Sequence, residues 1–158
     1  MASIPGLRSP YERVGKLIYF GRMLDKIRLH AAGKLPADYI ENLGDGKIGF
    51  ADGRCCRFLR ISYPDVVQRT LAGGTEEEIM AWALARGVPR SDEECYIWNC
   101  FMAKRGWRDE RSAGRIELMA KNGFADKPIA SIFDFIDFDE GRDPAPLRAW
   151  ITGELPGS

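Results

Sequence analysis

The residues whose spacing most suggests chemistry stand early in the chain, at Arg22, Asp25 and Arg28. On a helix, Asp25 can reach one arginine three residues before it and another three residues after it. A carboxylate that holds two guanidinium groups in place can prepare them to bind an anion. The same trio can also form a half-buried structural ion pair that orients a neighbouring helix, and such pairs are the commoner arrangement. The sequence leaves both interpretations open, with the structural one first.

A second basic group surrounds a glycine-rich stretch and consists of Lys47, Arg54 and Arg57. Residues 44–49, GDGKIG, match the pattern GxGxxG. A dinucleotide site needs a strand before this pattern and a helix after it. We expect neither element here, so a plain loop is the first interpretation. The alternative is a nest of backbone amides that binds an anion together with the three basic side chains.

Two adjacent cysteines, Cys55 and Cys56, lie between Arg54 and Arg57. We expect buried, reduced thiols, since cysteine is among the most buried residue types. The alternative is a reactive thiol, because neighbouring arginines can stabilise a thiolate. Zinc is not expected: adjacent cysteines strain joint chelation, no CxxC pattern exists, and the chain has one histidine. The sequence therefore predicts no metal and no cofactor.

Carboxylates cluster near the end of the chain, at Asp134, Asp137, Asp139 and Glu140. An EF-hand-like calcium loop that begins at Asp137 fails, because its twelfth position is Arg148 instead of Glu. We expect either an acidic surface or an internal match to arginines elsewhere in the chain. Binding of a divalent metal ion is the alternative.

Apolar residues recur at helical spacing from Leu17 through Phe20, Leu24 and Ile27 to Ala31. This period predicts one long amphipathic helix over residues 10–33, on which the other helices pack. Further helices are expected over 37–42, 62–73, 75–86, 91–105, 109–120 and from 132, with a glycine-rich loop or short hairpin near 44–60. Capping boxes, Thr75 with Glu78 and Ser91 with Glu94, are expected to begin two of these helices.

These patterns predict a mainly α protein in which about six to seven helices surround the long N-terminal helix. The 158 residues are expected to form one compact domain, with residues 1–9 and 153–158 flexible. Lys plus Arg equals Asp plus Glu at 23 each, which makes nucleic acid an unexpected partner. The sequence shows no apolar core of a signal peptide and no membrane-spanning run, so we expect no membrane partner and a cytoplasmic location.

Several segments together resemble a known family: RMLDKIRLHAAGKLP, YIENLG, GRCCRF, IWNCFMAKRGWRDE and FDFIDFDEGR. They resemble the bacterial domain-of-unknown-function family 5069, over nearly the whole chain. The resemblance implies a small cytosolic bacterial protein made of a single domain. It implies no activity, substrate or catalytic residue.

No catalytic constellation survives these tests, so the first functional hypothesis is a small interaction or regulatory module that binds a protein partner without catalysis. The alternative is an enzyme or sensor that binds a small anionic ligand through the arginine-aspartate cluster and the glycine-arginine loop. An enclosed pocket that joins those two regions would favour the ligand hypothesis. A solid core there and a large exposed apolar patch elsewhere would favour the interaction module.

Overall fold

The computed structural model describes residues 3–148 and confirms a mainly α, single-domain fold. Two short strands precede the helices in this part of the chain: β1 (Arg13–Val14) and β2 (Leu17–Ile18). The helices are α1 (Phe20–Ala31), α2 (Ala37–Ile40), α3 (Ala51–Leu59), α4 (Tyr63–Leu71), α5 (Glu76–Arg86), α6 (Asp92–Lys104), α7 (Ser112–Lys121), α8 (Ile132–Asp139) and α9 (Ala145–Arg148). None of these described helices combines the length and apolarity that crossing a membrane requires.

The long helix predicted from Pro10 is wrong over its first half. Strands β1 and β2 pair antiparallel as a small hairpin, and α1 begins only at Phe20. Gly15 lies in the turn with a φ of 58°, a left-handed conformation that an α-helix does not contain. Valine and isoleucine in the two strands favour the extended backbone for the same segment. The apolar period of the sequence therefore crosses a hairpin before it enters the helix.

The core forms around α1, which packs against α4 and against the hairpin. Phe20, Met23, Leu24 and Ile27 are buried along this helix, as the helical spacing predicted. Helix α6 packs against β2 and α8, and Trp98 donates its indole N–H to the carbonyl of Ile18 at 3.3 Å. These contacts hold α1, α6 and α8 together at the centre of the molecule.

The region predicted as a loop or hairpin near 44–60 divides into two parts. Residues 41–50 form a series of turns, whereas Ala51–Leu59 is helix α3. Cys55, Cys56 and Leu59 are buried on one side of this helix, and their contacts with the core stabilise a segment whose sequence looked unsuited to a helix. A helix therefore follows the GxGxxG pattern after one residue, contrary to the sequence-based expectation. Among the described residues before the pattern, the only strands are the two of the hairpin.

The first residues that the structure describes do not form the flexible arm expected for residues 1–9. Leu7 and Ser9 are buried, and Arg8 donates hydrogen bonds to Asp25 and Glu76. This segment is fixed because its charged side chain enters a network that sequence spacing cannot reveal. Residues 153–158, also expected to be flexible, lie outside the described residues.

Both predicted capping boxes are confirmed. Thr75 accepts the N–H of Glu78 at the start of α5, and Ser91 accepts the N–H of Glu94 at the start of α6. In each case the glutamate side chain in turn accepts the backbone N–H of the Thr or Ser. These two helix starts rest on contacts three residues apart, which explains why the sequence alone locates them.

Candidate functional site

Of the predicted trio, Arg28 stays within ion-pair distance of Asp25, whereas Arg22 does not pair with Asp25. Asp25 accepts hydrogen bonds from Arg8 Nε at 2.7 Å and Nη2 at 2.8 Å, whereas Arg28 Nη1 lies 3.7 Å from its carboxylate. Arg22 turns instead to Glu140, 118 positions further along the chain. The predicted pairing of Arg22 with Asp25 is wrong. Glu140 accepts a hydrogen bond from each of the two Nη atoms of Arg22, and such bidentate pairing is the stronger arrangement.

The Arg22–Glu140 pair is buried on both sides, with 3% and 0% of the residue surfaces exposed. Arg22 Nη1 donates to Glu140 Oε2 at 2.9 Å, and the Tyr39 hydroxyl donates to Oε1 at 2.9 Å. Burial alone would raise the pKa of Glu140, but the hydrogen bond and charge of Arg22 outweigh it and hold that pKa below its ordinary value. Glu140 is therefore ionised near neutral pH and anchors Arg22.

One helical turn after Arg22, Lys26 forms a second buried pair with Asp52. Lys26 Nζ lies 2.8 Å from Asp52 Oδ1, which also accepts the Tyr19 hydroxyl at 2.6 Å. The backbone N–H of Gly44 donates to Oδ2 at 3.0 Å, so the same carboxylate also fixes the glycine-rich loop. Burial lowers the pKa of Lys26, and the charge of Asp52 offsets only part of this effect.

Tyr19, which joins the hairpin to α1, has a strained backbone. Its φ is 74°, in a region that a bulky L-residue rarely occupies. Its ring stacks on Phe133 with the centroids 5.7 Å apart, and its hydroxyl is bonded to Asp52. Packing and hydrogen bonding hold the residue in this conformation, and strain held in this way is typical of ligand sites.

A partly enclosed cavity of about 600 Å³ lies where α1, α2, α3, α6, α7 and α8 meet. The start of α1 contributes Tyr19, Arg22 and Lys26 to its lining. The apolar part of the wall includes Phe50, Met102, Phe133, Phe135 and Ile136. The cavity thus joins the basic residues of α1 to the end of the glycine-rich loop, which is the arrangement that favours the ligand hypothesis.

Basic side chains outnumber acidic ones in the cavity wall. Six cations line it: Arg22, Lys26, Arg54, Arg105, Arg111 and Lys121. Three carboxylates line it: Asp38, Asp139 and Glu140. Within residues 3–148, no carboxylate lies within 4 Å of the side-chain nitrogens of Arg54, Arg111 or Lys121. Part of the positive charge at this site is therefore not neutralised by the described residues. Burial, followed by repulsion from Arg105 and Arg57, lowers the pKa of Arg54.

The other basic residues of the predicted anion site lie away from the cavity. Lys47 is exposed and sits 5.3 Å above the ring of Phe50, and Arg57 lines a separate groove. Of the six residues proposed from the sequence, only Arg22 and Arg54 come together in the cavity wall. The proposed loop nest and the proposed helix cluster therefore meet at the cavity, but through only two of the six residues expected.

The two thiol candidates are both buried on α3. Burial raises the pKa of Cys55 well above its ordinary value and raises that of Cys56 to about 12. The charge of Arg57 opposes this rise at Cys56 only in part. The neutral thiol is favoured at pH 7, which is the opposite of what an activated nucleophile requires.

The acidic cluster near the C-terminal end of the sequence is matched by internal arginines. Arg142 Nη1 donates to Asp137 at 2.8 Å and also bonds to Glu140, and Arg148 bonds to Asp134. Across residues 3–148, no group of three or more His, Cys, Asp or Glu side chains is arranged to hold a metal ion. Asp139 lines the cavity and has no arginine partner among the residues that the structure describes.

The sequence did not identify Tyr19, Lys26 and Asp52, which form a buried polar group beside the cavity. Lysine on an amphipathic helix is normally assigned to solvent, and the partner Asp52 lies in a different element. A signal was nevertheless present, because Tyr19, Arg22 and Lys26 follow the spacing i, i+3 and i+7 of one helical stripe.

Comparison with protein families matches residues 4–142 to a family described as a domain of unknown function, DUF5069. All residues that line the cavity lie within the matched range. Comparison with curated proteins gave no match.

Proposed function

Because the chain belongs to DUF5069, a family defined without a function, we propose a function from the cavity itself: the protein binds a small organic anion there. The observation that carries this proposal is the meeting of three cations, Arg54, Arg111 and Lys121, in the wall of one partly enclosed cavity; none of them has a carboxylate partner among residues 3–148. This is the ligand site of an enzyme or sensor, the second of the two hypotheses that the sequence left open.

The size and lining of the cavity suit an organic molecule better than an inorganic ion. Its volume of about 600 Å³ falls within the range of ordinary small-molecule sites. Phe50, Phe133 and Phe135 offer apolar surface to a ring or hydrocarbon body. A bare inorganic anion would leave most of this apolar wall in contact with water.

The charge of the lining selects an anionic group on that molecule. Arg54 and Arg111 can bind a phosphate or carboxylate through two N–H groups each, and Lys121 adds a point charge. Gly49, Phe50 and Ala51 at the N-terminal end of α3 also line the cavity, and the positive end of that helix adds to the attraction.

The two carboxylates Asp38 and Asp139 define what else the ligand carries. Burial raises the pKa of Asp139, and the neighbouring charge of Glu140 adds to this rise. These side chains come from α2 and α8, whereas the unpaired cations come from α3, from α7 and from the residue before α7. They favour a ligand with hydroxyl or amino donors besides its anionic group, as in a sugar phosphate or a nucleoside monophosphate.

A thermal-shift screen tests this proposal. Sugar phosphates, nucleoside monophosphates and aromatic carboxylic acids are compared with their uncharged parents: sugars, nucleosides and carboxamides. We expect a charged member to raise the Tm while its parent does not. At about 100 times its Kd, a ligand adds roughly 2.7 kcal/mol to the free energy of unfolding.

Two exposed residues of the wall provide the variants, Arg111→Gln and Lys121→Gln. Each should weaken binding without lowering the Tm of the free protein, and Arg86→Gln on α5 is the matched control because it lies outside the cavity. The proposal fails if no anion raises the Tm, or if both wall variants bind the hit as tightly as the control does.

We also propose a cytoplasmic location. All four cysteines are unpaired, as is usual for proteins of a reducing compartment. Fractionation of the source cells, with a cytosolic marker enzyme followed in parallel, tests this location.

A further inference from the structure

An open groove of about 840 Å³ runs between the C-terminal part of α3 and helix α6. We call it the arginine groove and define it by Arg57, Phe58, Arg60, Ile97, Trp98 and Phe101. Only Arg54 lines both this groove and the cavity. The groove is therefore a second surface, with its own chemistry.

The groove is basic although the whole chain carries no net charge. Four arginines line it, Arg54, Arg57, Arg60 and Arg90, and none of the described residues adds a carboxylate to the lining. Arg90 is engaged, because it pairs with Glu94 at 3.1 Å and donates to the carbonyl of Phe58. Arg57 and Arg60 are exposed and have no ion pair with any residue between 3 and 148. Their charge is available to a partner.

Exposed apolar side chains stand among these arginines. Ile48 is 98% exposed, Ile97 59% and Phe101 44%, and all three line the groove. Beneath them Phe58 stacks on Trp98 with the centroids 4.7 Å apart. Large apolar side chains exposed beside arginine and tryptophan are typical of the central part of a protein–protein interface.

We propose that the arginine groove binds an acidic, hydrophobic segment of another protein. Such a segment places Asp or Glu against Arg57 and Arg60 and a Leu, Phe or Trp against Ile97 and Phe101. The acidic side chains of the segment complement the charge of the groove, since the described residues that line it include four arginines and no carboxylate. This surface corresponds to the interaction module that the sequence suggested first, and it shares Arg54 with the anion cavity.

The aromatic rings of the groove favour a peptide over single-stranded nucleic acid. Nucleic acid bases bind by stacking on free aromatic faces. The ring of Phe58 already stacks on Trp98, and the guanidinium of Arg90 lies 4.6 Å from its centroid. Phe101 likewise carries Arg54 at 5.0 Å. The exposed apolar surface that remains, on Ile48, Ile97 and the uncovered part of Phe101, suits protein side chains.

Selection of random twelve-residue peptides by phage display on the immobilised protein tests the proposal. We expect enriched peptides to combine at least two Asp or Glu with a large hydrophobic residue. The most enriched peptide, made with a fluorescent label, is then titrated by anisotropy at 50 and 200 mM salt. Its affinity should fall at the higher salt because the contacts with arginine are exposed.

The variant Arg57→Glu/Arg60→Glu should weaken this peptide at least tenfold, and Ile97→Ser should weaken it at least threefold. The matched control is Arg69→Glu/Arg86→Glu on α4 and α5, which reverses two charges away from the groove. Circular dichroism confirms that each variant is folded. Arg57→Glu/Arg60→Glu should still bind the anion found by the thermal-shift screen, which separates the two sites.

Three outcomes would overturn the proposal. If selection yields no enriched peptide, or enriched peptides without Asp or Glu, the groove does not recognise an acidic segment. Equal binding by the groove variant and the control places the peptide elsewhere. A labelled twelve-nucleotide uridine RNA that binds more tightly than the peptide, and loses that binding in the groove variant, assigns the groove to nucleic acid instead.

Discussion

At the scale of single residues, two buried ion pairs support the wall of the cavity, which three of their four members line: Arg22, Lys26 and Glu140. Lys26 and Asp52 are 4% and 0% exposed, and Arg22 and Glu140 are buried to a similar extent. Removing one member of such a pair leaves the other charge buried without compensation, which costs much more than the loss of a surface pair. The cavity is therefore a place where the stability of the fold and the arrangement of a site depend on the same side chains.

The Lys26–Asp52 pair gives the first prediction. Lys26→Met should lower the free energy of unfolding by about 3–5 kcal/mol, because Asp52 remains buried without its cation. The double variant Lys26→Met/Asp52→Asn should recover part of this loss, since the stranded charge is also gone. Denaturation in urea measures both.

Lys16→Met is the matched control, because Lys16 pairs with Asp92 but is half exposed. It should cost less than about 1 kcal/mol. A Lys26→Met variant as stable as Lys16→Met would show that Lys26 is not a buried, paired charge.

The buried thiols give the second prediction. Because burial raises the pKa of Cys55 and Cys56, both should react with Ellman's reagent at pH 8 only as fast as the native protein opens. Cys100 is half-buried and should account for the fast phase. In Cys100→Ser that phase should disappear, and rapid reaction of two further thiols would restore the reactive-thiol hypothesis.

At the scale of elements, one close approach of backbone holds α3 against the segment after α5. Gly87 ends α5, and the next residue, Val88, donates its N–H to the carbonyl of Leu59 at 3.1 Å. A Cβ at Gly87 would overlap the carbonyl oxygen of Leu59. Glycine is needed here for space, and the contact fixes the end of the helix that separates the cavity from the arginine groove.

Two glycine substitutions test this contact. Gly87→Ala should lower the free energy of unfolding by about 2 kcal/mol or more, because a backbone atom has to move. Gly114→Ala in α7 is the matched control: nothing lies within 4 Å of the added Cβ, and alanine should stabilise the helix by roughly 0.5–1 kcal/mol. Thermal and urea unfolding measure both, and a neutral Gly87→Ala would contradict the close approach.

The sequence predicted those elements whose signals are local. Capping boxes at Thr75 and Ser91 located α5 and α6, because every contact of the box lies within four residues. Helix α3 was missed because its stability comes from the burial of Cys55 and Leu59 against other elements. The predicted helix over 10–33 was wrong at its start. Apolar residues at helical spacing, such as Val14 and Leu17, lie on both sides of the turn at Gly15, so spacing alone does not reveal the turn.

At the scale of the whole molecule, the candidate site is assembled from distant parts of the chain. Glu140 meets Arg22 across 118 positions, and Asp52 meets Lys26 across 26 positions. The sequence identified Arg22 and Arg54 as basic residues of interest but assigned Arg22 to a neighbour on its own helix. Pairings of this kind depend on how helices pack, so composition and spacing cannot supply them.

The most direct test of anion binding in the cavity follows the arginine side chains during a titration. The tightest anion of the thermal-shift screen is titrated into ¹⁵N-labelled protein, and the Nε–Hε resonances are assigned with single Arg→Lys variants. Binding in the cavity should produce shifts at Arg54, Arg105 and Arg111, which line the cavity, with none at Arg69 or Arg86, which do not. Shifts confined to arginines outside the cavity, or no shifts at saturation, would contradict it.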